Sequence, residues 1–342
     1  MLGDVDCPDL VGFFTLFIQN RGVLSNATTL TSSVMSTITG LARRTNTLSN
    51  SLLNVSAHYD ISNEMFAAFL SDDMTYSCPV WALKTSLDSL TETLEHAQRT
   101  KLHRFIDNAH IKSTDHVLEI GTGWGSFAIE AVRSTGCHVT SLTLSKEQKA
   151  LAEKRIATAG FSDHITVLLC DYRALPTPAV LFDKVVSIEM LEAVGREFLT
   201  TYFECVSRLL KPHGGMAVFQ CITMPESRYD SYCRSEDFIQ KYIFPGGHLP
   251  TVTQLVTSIE AGSKGSLIVD GIENISGHYA KTLRLWNNKF QQNFSSRIQP
   301  ALLEEHPEMK EPDTEVFRRK WEVSHLLFSI PISYRPVTDP TL

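Results

Sequence analysis

The chain has 342 residues, of which 43% are hydrophobic, and a formal net charge of −7. This much apolar sequence can build a sizeable core, which excludes wholesale disorder, and the acidic balance argues against a nucleic-acid-binding protein. The seven cysteines are odd in number and form no C-x-x-C pair, so the sequence predicts neither a disulfide framework nor a metal site. A reducing, cytoplasmic setting fits this cysteine usage best.

The first part of the chain differs in composition from the rest. Residues 1–56 are predicted to form a helical preface to one larger domain, which covers residues 57–342. Apolar spacing indicates an amphipathic helix over 9–20 and a second around 34–42, joined by a polar loop. We expect both helices to pack on the main domain.

A surface that faces lipid or a partner is the alternative for the first helix. Phe13, Phe14 and Phe17 could enter such an interface, although the flanks lack the Lys and Arg residues that usually assist binding. The apolar run over 10–18 is too short to span a bilayer, so any membrane contact is expected to be peripheral.

A helix predicted over 64–70 precedes a loop that carries Tyr76, Ser77 and Cys78 in succession. Adjacent phenol, hydroxyl and thiol groups are unusual for a simple connector. A lone cysteine is more often structural than reactive, so spacing alone gives Cys78 no assigned role. A long amphipathic helix is predicted to follow over 87–111.

The segment 117–125 reads VLEIGTGWG and predicts a buried strand, a glycine turn and a helix that begins near Ser126. The glycines let the backbone turn sharply and approach a ligand closely. Their G-x-G-x-G spacing differs from the G-x-G-x-x-G of dinucleotide sites. Glu119 would suit a sulfonium or ammonium group, which favours S-adenosylmethionine over a hydride carrier. A plain strand–turn–helix is the alternative.

After this turn, strand and helix patterns alternate, which predicts an α/β fold with a parallel, doubly wound sheet. Ser145 is a suitable N-cap for one of these helices, with Gln148 in the capping-box position. The predicted strands cover residues 138–144, 165–170, 182–188 and 215–221, and the predicted helices cover residues 145–160 and 198–209.

Each predicted strand is apolar and ends in polar residues, and ligands of such sheets bind beyond the carboxyl ends of the strands. The sequence therefore predicts one site at the segments 119–125, 143–145, 171–173, 189–192 and 220–223. Farther along, an insertion over about 224–300 is predicted to form a lid and the acceptor cavity. Helices are predicted over 236–244, 253–261, 280–294 and 315–328.

Eight segments together resemble the cyclopropane fatty-acid synthase family, which includes the mycolic-acid methyltransferases. The glycine motif alone is typical of any class I methyltransferase, whereas the ordered set is specific. The segments are HYDISNEMF, MTYSCPVW, VLEIGTGWGSFAIEA, LTLSKEQ, DYRALP, SIEMLEAVG, DFIQKYIFPGGHLP and HYAKTLRLW.

The resemblance implies a Rossmann-like methyltransferase sheet of seven strands, six parallel and one antiparallel, and S-adenosylmethionine as methyl donor. The donor-site residues that it implies are Tyr76 and Ser77 with Gly121 and Gly123 at the methionine part, Thr143, Leu144, Ser145 and Gln148 at the ribose, and Asp171 and Tyr172 at the adenine. Glu119, Trp124 and Gly125 complete the glycine segment of this site.

The resemblance also implies chemistry at an alkene, whose π bond attacks the sulfonium methyl to give a carbocation. A bound bicarbonate then removes a proton from the transferred methyl group, and a cyclopropane ring closes. Glu192, Tyr279, the Cys78 loop and the Ile222 backbone match the cup that holds this anion, and Gln220 stands where some members carry histidine. A helix-start acid and a packing tyrosine are the structural alternatives for Glu192 and Tyr279.

The tail departs from the family pattern, because Phe328 stands where a cysteine is usual after Trp321. This change leaves the acceptor open between an unsaturated phospholipid acyl chain and a small molecule methylated at carbon or nitrogen. Ala193 favours the acyl chain, since the related N-methyltransferases often carry histidine there. A member that binds donor or lipid without turnover is a third alternative. Peripheral membrane contact and a homodimer are further expectations.

Overall fold

The computed structural model describes residues 7, 9–20, 61–82, 91–234 and 236–329. The second predicted helix of the preface, around 34–42, and the tail after residue 329 lie outside this part of the chain. The first helix is confirmed as α1 (Leu10–Gln19), whose N-terminus is capped by Asp9. It contacts the last described helix and leaves Leu16 and Phe17 59% and 46% exposed. None of the helices described here is both long enough and apolar enough to cross a membrane.

All five strands predicted from the sequence are present and form one parallel sheet in the order β3-β2-β1-β4-β5. This order places β1, with its glycine turn, at the centre of the sheet. The strands are β1 (His116–Ile120), β2 (His138–Thr143), β3 (Ile165–Leu169), β4 (Lys184–Ile188) and β5 (Met216–Gln220).

The seven-stranded sheet implied by the resemblance is not seen, since the described residues contribute five strands. The segment 266–275, which precedes the Tyr279 helix, is an irregular loop. Ile268 and Ile272 in this loop are 89% and 64% exposed, so their apolar side chains are not covered by a sheet.

Helices flank the sheet and continue into the predicted insertion. They are α2 (Asn63–Phe69), α3 (Leu94–Asn108), α4 (Ser126–Thr135), α5 (Lys146–Thr158), α6 (Leu199–Leu209), α7 (Glu226–Arg234), α8 (Phe238–Tyr242), α9 (Val252–Ser263), α10 (Tyr279–Asn293), α11 (Gln299–Glu305) and α12 (Glu311–Ser329). Short 3₁₀ turns cover Leu191–Ala193, Arg196–Phe198 and Ser276–His278, and a π turn at Phe294–Ile298 joins α10 to α11.

The start of α3 differs from the prediction over 87–111, because residues 91–93 are not helical. The Thr93 side chain accepts a hydrogen bond from the His96 backbone N–H at 3.2 Å and so caps the helix at Leu94. Threonine is a favoured N-cap, and its side chain satisfies one of the helix's unpaired N–H groups.

Both faces of the sheet are covered, as expected for strands that are apolar throughout. On β1, Val117 packs with helices α3, α4 and α5 on one side, and Leu118 packs with α6 on the other. Both side chains are fully buried. This arrangement fixes the sheet between two helical layers and leaves its carboxyl edge free for a site.

A separate aromatic cluster, defined as Phe66, Phe69, Trp286, Phe290 and Trp321, joins α2 to the carboxyl-terminal helices. The Phe290 ring lies 6.0 Å from that of Phe69 and 6.2 Å from that of Trp321. The cluster therefore attaches the beginning of the main domain to its last helix.

His325 borders this aromatic cluster, with its ring 5.7 Å from Phe290 and 5.8 Å from Trp321. The residue is 2% exposed, and neither ring nitrogen has a hydrogen-bond partner among the described residues. Burial lowers the pKa of His325 to about 3, so the folded protein holds it neutral.

We expect His325→Phe to stabilise the protein by about 1–3 kcal/mol, because it removes an unsatisfied buried polar group and keeps a planar ring. The gain should increase as the pH falls below about 6.5, since the unfolded wild-type chain then binds a proton that the folded chain refuses. Urea unfolding at pH 8 and pH 5 measures both effects. His96→Phe, at a side chain that is 67% exposed, is the control. An unchanged or lower stability would contradict the prediction.

Candidate active site

The carboxyl ends of the parallel strands lie at one edge of the sheet, where those of β1, β2, β3 and β4, but not that of β5, border a cleft of about 1130 Å³ that is partly open to solvent. Gly125 and Ser145, two of the predicted donor-site residues, do not border the cleft. The predicted residues that line it are Tyr76, Ser77, Glu119, Gly121, Gly123, Trp124, Thr143, Leu144, Gln148, Asp171 and Tyr172.

The glycine turn between β1 and α4 brings bare backbone to the cleft. Gly121 and Gly123 have φ angles of +107° and +51°, in a region that L side chains rarely adopt. A Cβ atom built on Gly123 would meet no protein atom within 4 Å. Because Gly123 lines the cleft, the space beside it is available to a ligand.

Glu119, at the end of β1, provides an acidic group beside the glycine turn. Its Oε2 accepts a hydrogen bond from Ser141 Oγ on β2, and Thr122 Oγ1 lies 2.7 Å from the same hydroxyl. Burial raises the pKa of Glu119 to about 8. A cationic ligand group nearby would favour the ionised carboxylate and offset the cost of burying it.

The β2–α5 junction confirms Ser145 as the helix N-cap, because its Oγ accepts from the Gln148 backbone N–H at 3.1 Å. The reciprocal half of the predicted capping box does not form. The Gln148 Oε1 atom instead accepts from Thr143 Oγ1 at 3.1 Å, and the Ser145 backbone N–H is 3.2 Å from Thr143 Oγ1. The hydrogen bond from Thr143 holds the Gln148 side chain at the cleft wall.

At the end of β3, Asp171 is held by Arg173 through two parallel contacts of 2.8 and 2.7 Å. The Arg173 guanidinium also lies over the rings of Tyr172 and Phe198, at 5.4 and 5.3 Å from their centroids. Arg173 lies in a segment predicted to belong to the site but was given no role, and it contacts both Asp171 and Tyr172.

Two side chains of α3 hold the Tyr76–Ser77 loop by hydrogen bonds to Ser77. Lys101 Nζ donates to Ser77 Oγ at 2.6 Å, and Gln98 Nε2 donates to the Ser77 carbonyl at 2.8 Å. Lys101 is 1% exposed. Burial lowers its pKa to about 8, although the nearby charge of Glu189 raises it in part. Sequence reasoning missed this lysine, whose spacing of four from Ala97 and Phe105 places it on the buried face.

Two aromatic residues of the cleft, Trp124 and Tyr76, also pack against aromatic side chains outside it. Trp124 is 1% exposed, its Nε1 donates to Asn63 Oδ1 at 2.7 Å, and its ring lies 4.9 Å from Phe66. Tyr76 stacks on Phe244 at 6.4 Å and lies 5.3 Å from Trp286. Trp124 therefore anchors the turn, and Tyr76 connects the cleft to the aromatic cluster.

Two of the predicted acceptor-side residues, Cys78 and Gln220, contact Glu189, which was predicted only to lie at a strand end. Glu189 Oε1 accepts from the Cys78 backbone N–H at 2.9 Å and from Gln220 Nε2 at 2.7 Å. Burial, followed by the charge of Glu189, raises the pKa of Tyr279 well above its usual value. Burial also raises the pKa of Glu189.

Glu192 lies beside this group and accepts a hydrogen bond from the Ile222 backbone N–H at 2.5 Å. Burial, followed by the charge of Glu189, raises the pKa of Glu192. Its second oxygen has no hydrogen-bond partner within the described part of the chain. The five predicted acceptor-side residues thus divide into two neighbouring groups, one around Glu189 and one formed by Glu192 and Ile222. The only sequence signal for the first group is a second glutamate, three positions before Glu192.

The chain matches the family model described as mycolic acid cyclopropane synthetase over residues 46–308. It is 42% identical to tuberculostearic acid methyltransferase UfaA1 of Mycobacterium tuberculosis over 272 residues, which are 79% of this chain and 59% of that protein. It is 34% identical to the cyclopropane-fatty-acyl-phospholipid synthase of Escherichia coli over 68% of this chain and 55% of that protein. The chain therefore spans less than two thirds of these curated relatives.

Among solved structures, mycolic acid cyclopropane synthase CmaA1 in complex with SAH and CTAB superposes with a TM-score of 0.66. The two share 27% identity over 82% of this chain and 94% of that one. The family match covers more than half of the chain and agrees with the motifs from which it was predicted. This protein belongs to the mycolic acid cyclopropane synthetase family of S-adenosylmethionine-dependent methyltransferases.

Proposed function

We propose that the protein transfers a carbon from S-adenosylmethionine to the double bond of an unsaturated fatty acyl chain. The observation that carries this proposal is one cleft lined by two acidic side chains, one buried and one partly buried. Glu119 stands beside the glycine turn, and Glu189 stands at the acceptor-side cluster. The relatives whose names describe fatty acyl substrates support the acceptor class.

The cleft residues fit the methyl donor, which supplies an electrophilic methyl group on a sulfonium when bound. Glu119 would balance positive charge, and the bare backbone at Gly123 would allow close approach. The Thr143–Gln148 pair would face the ribose, and Asp171, held by Arg173, would present carboxylate oxygens to the adenine amine.

Two features of the acceptor side suit attack by an alkene. Tyr76 lines the cleft, and its ring packs against those of Phe244 and Trp286, so this apolar wall would keep water from a developing carbocation. The carboxylates of Glu189 and Glu192 are fixed by backbone N–H groups, so they can stabilise positive charge without reorganising.

The same cation can lead to different products. Proton loss with ring closure gives the cyclopropane implied by the resemblance, whereas a hydride shift before proton loss gives a methylene branch. One relative is named a methyltransferase and the other a cyclopropane synthase. Carbon methylation of the acyl chain is common to both routes and is the activity that we propose.

We expect the protein to transfer label from methyl-labelled S-adenosylmethionine to vesicles of an unsaturated phospholipid, with a mass gain of one CH₂ per acyl chain. Vesicles of the matching saturated phospholipid are the control and should stay unlabelled, because they offer no π bond. Proton NMR of the product distinguishes a cyclopropane from a retained double bond. Label confined to a panel of small amines would refute the acyl acceptor and favour a small-molecule methyltransferase.

A further inference from the structure

The residues expected to bind bicarbonate already bind carboxylates of the chain itself. The Cys78 N–H and the Gln220 amide both donate to Glu189, and Tyr279 lies close enough for the charge of Glu189, second to burial, to raise its pKa. A further donor, the Ile222 N–H, is taken by Glu192. A bicarbonate would have to displace Glu189 from its donors and would lie beside two acidic side chains, Glu189 and Glu192, which disfavours an anion whenever either is ionised. As arranged, this cup does not fit the anion.

The unusual backbone conformation at Glu189 independently indicates a functional role for this residue. Its φ angle is +49°, in the left-handed region where a residue other than glycine, asparagine or aspartate is uncommon. The Glu189 N–H donates to the Gln220 carbonyl at 2.8 Å, which fixes this turn directly after β4. Strained backbone of this kind is concentrated at functional sites.

Glu189 also borders the space in which methyl transfer would take place. It lines the same cleft as Gly121, Gly123 and Glu119, whereas its neighbours Cys78, Gln220 and Tyr279 do not. Glu189 is therefore the member of the acceptor-side group that faces the donor site. Its raised proton affinity, caused by burial, suits a group that must accept a proton near neutral pH.

We propose that the Glu189 carboxylate is the general base of this site and takes the place of an external bicarbonate. The proposal rests on the function proposed above. As the alkene π pair forms the new C–C bond, the C–S bond breaks and its electron pair stays on sulfur, leaving a cation on the chain. Glu189 accepts a proton from the transferred methyl carbon. The released C–H pair closes the ring on the cationic carbon. Where a hydride shift has first moved the cation to the carbon that carries the methyl group, the same pair instead forms the double bond of a methylene branch. The protonated carboxyl later returns its proton to solvent.

The first test needs no variant. Wild-type protein is assayed with labelled S-adenosylmethionine and unsaturated phospholipid vesicles in buffer freed of carbon dioxide, and again with added bicarbonate. Equal turnover in both supports the proposal, and turnover that depends on bicarbonate overturns it while leaving the acyl-methylation function intact. Absence of labelled acyl chains under both conditions would instead refute the proposed function.

Two substitutions at Glu189 distinguish the loss of its proton-accepting carboxylate from the removal of its whole side chain. Glu189→Gln keeps the shape but cannot accept the proton, so turnover should fall by about 10²- to 10⁴-fold and bicarbonate should not restore it. Glu189→Gly vacates the donors and relieves the positive φ, so added bicarbonate should restore part of the turnover. Full activity of Glu189→Gln would overturn the proposal.

A binding measurement gives a readout that does not depend on the acceptor. In titrations followed by ¹³C NMR, labelled bicarbonate should bind the Glu189→Gly variant and not the wild type. Binding to the wild type, or no binding to a Glu189→Gly variant that still binds S-adenosylhomocysteine, would overturn the proposal. Lys264→Gly is the matched backbone control, because Lys264 has a φ of +55° at an exposed helix end.

Discussion

Phe290→Ala is expected to lower the free energy of unfolding by about 3–5 kcal/mol, the range for truncating a buried phenylalanine. Phe290 is fully buried, and its ring contacts Phe69, Phe294 and Trp321 at centroid distances of 6.0, 5.6 and 6.2 Å. These partners come from α2, the π turn and α12, so the cavity would open where three elements meet. They cannot all collapse into it without moving their helices.

Urea unfolding followed by tryptophan fluorescence and circular dichroism measures this loss. The control is Phe17→Ala on α1, where the side chain is 46% exposed and the change should stay within about 0.5 kcal/mol. A loss below about 1 kcal/mol for Phe290→Ala would mean that the aromatic cluster does not hold the carboxyl-terminal helices to the domain.

The same substitution should also weaken donor binding, because the aromatic cluster supports the Tyr76 loop. The Tyr76 ring lies 6.1 Å from Phe69 and 5.3 Å from Trp286, and both rings pack in the cluster with Phe290. The cluster joins residues more than 200 positions apart in the chain, Phe69 and Phe290. We therefore expect a loss of packing in the cluster to lower both stability and donor affinity.

The sheet was predictable because each strand is a short apolar run with a clear end. β1 stops at Ile120, where Gly121 takes a positive φ, as the sequence predicted. The start of β4 was placed two residues early, because Phe182 pairs with Leu210 only through an isolated bridge. The local apolar pattern predicts the interior of a strand, whereas the residues at which the strand begins and ends depend on pairing with the neighbouring strand.

The site was predictable in outline, because polar residues at parallel strand ends must meet at one edge. Lys101 was missed because a charged residue in an amphipathic helix is ordinarily assigned to the solvent face. The sequence pattern assigned a role to Glu192 and none to Glu189, because the difference between two glutamates three residues apart depends on the positive φ at 189. That backbone turn follows from tertiary contacts, which the sequence pattern does not reveal.

The glycine turn allows a test of the donor site that separates backbone strain from loss of space. Gly123 and Gly160 have φ angles of +51° and +78°, and a Cβ atom at either position would meet no protein atom within 4 Å. They differ in that Gly123 lines the cleft and Gly160 does not. Alanine at either position should lower the free energy of unfolding by about 1–2 kcal/mol, the cost of left-handed backbone.

Gly123→Ala is expected to weaken the binding of S-adenosylhomocysteine by about 10- to 100-fold, equivalent to about 1.4–2.8 kcal/mol. The reason is steric, since the added methyl group would project into space that the protein leaves empty beside the cleft. Isothermal titration calorimetry measures this affinity, and Gly160→Ala should bind as the wild type does. Equal affinities for the two variants would show that the ligand does not approach this turn, and the donor site would then have to lie elsewhere along the edge of the sheet.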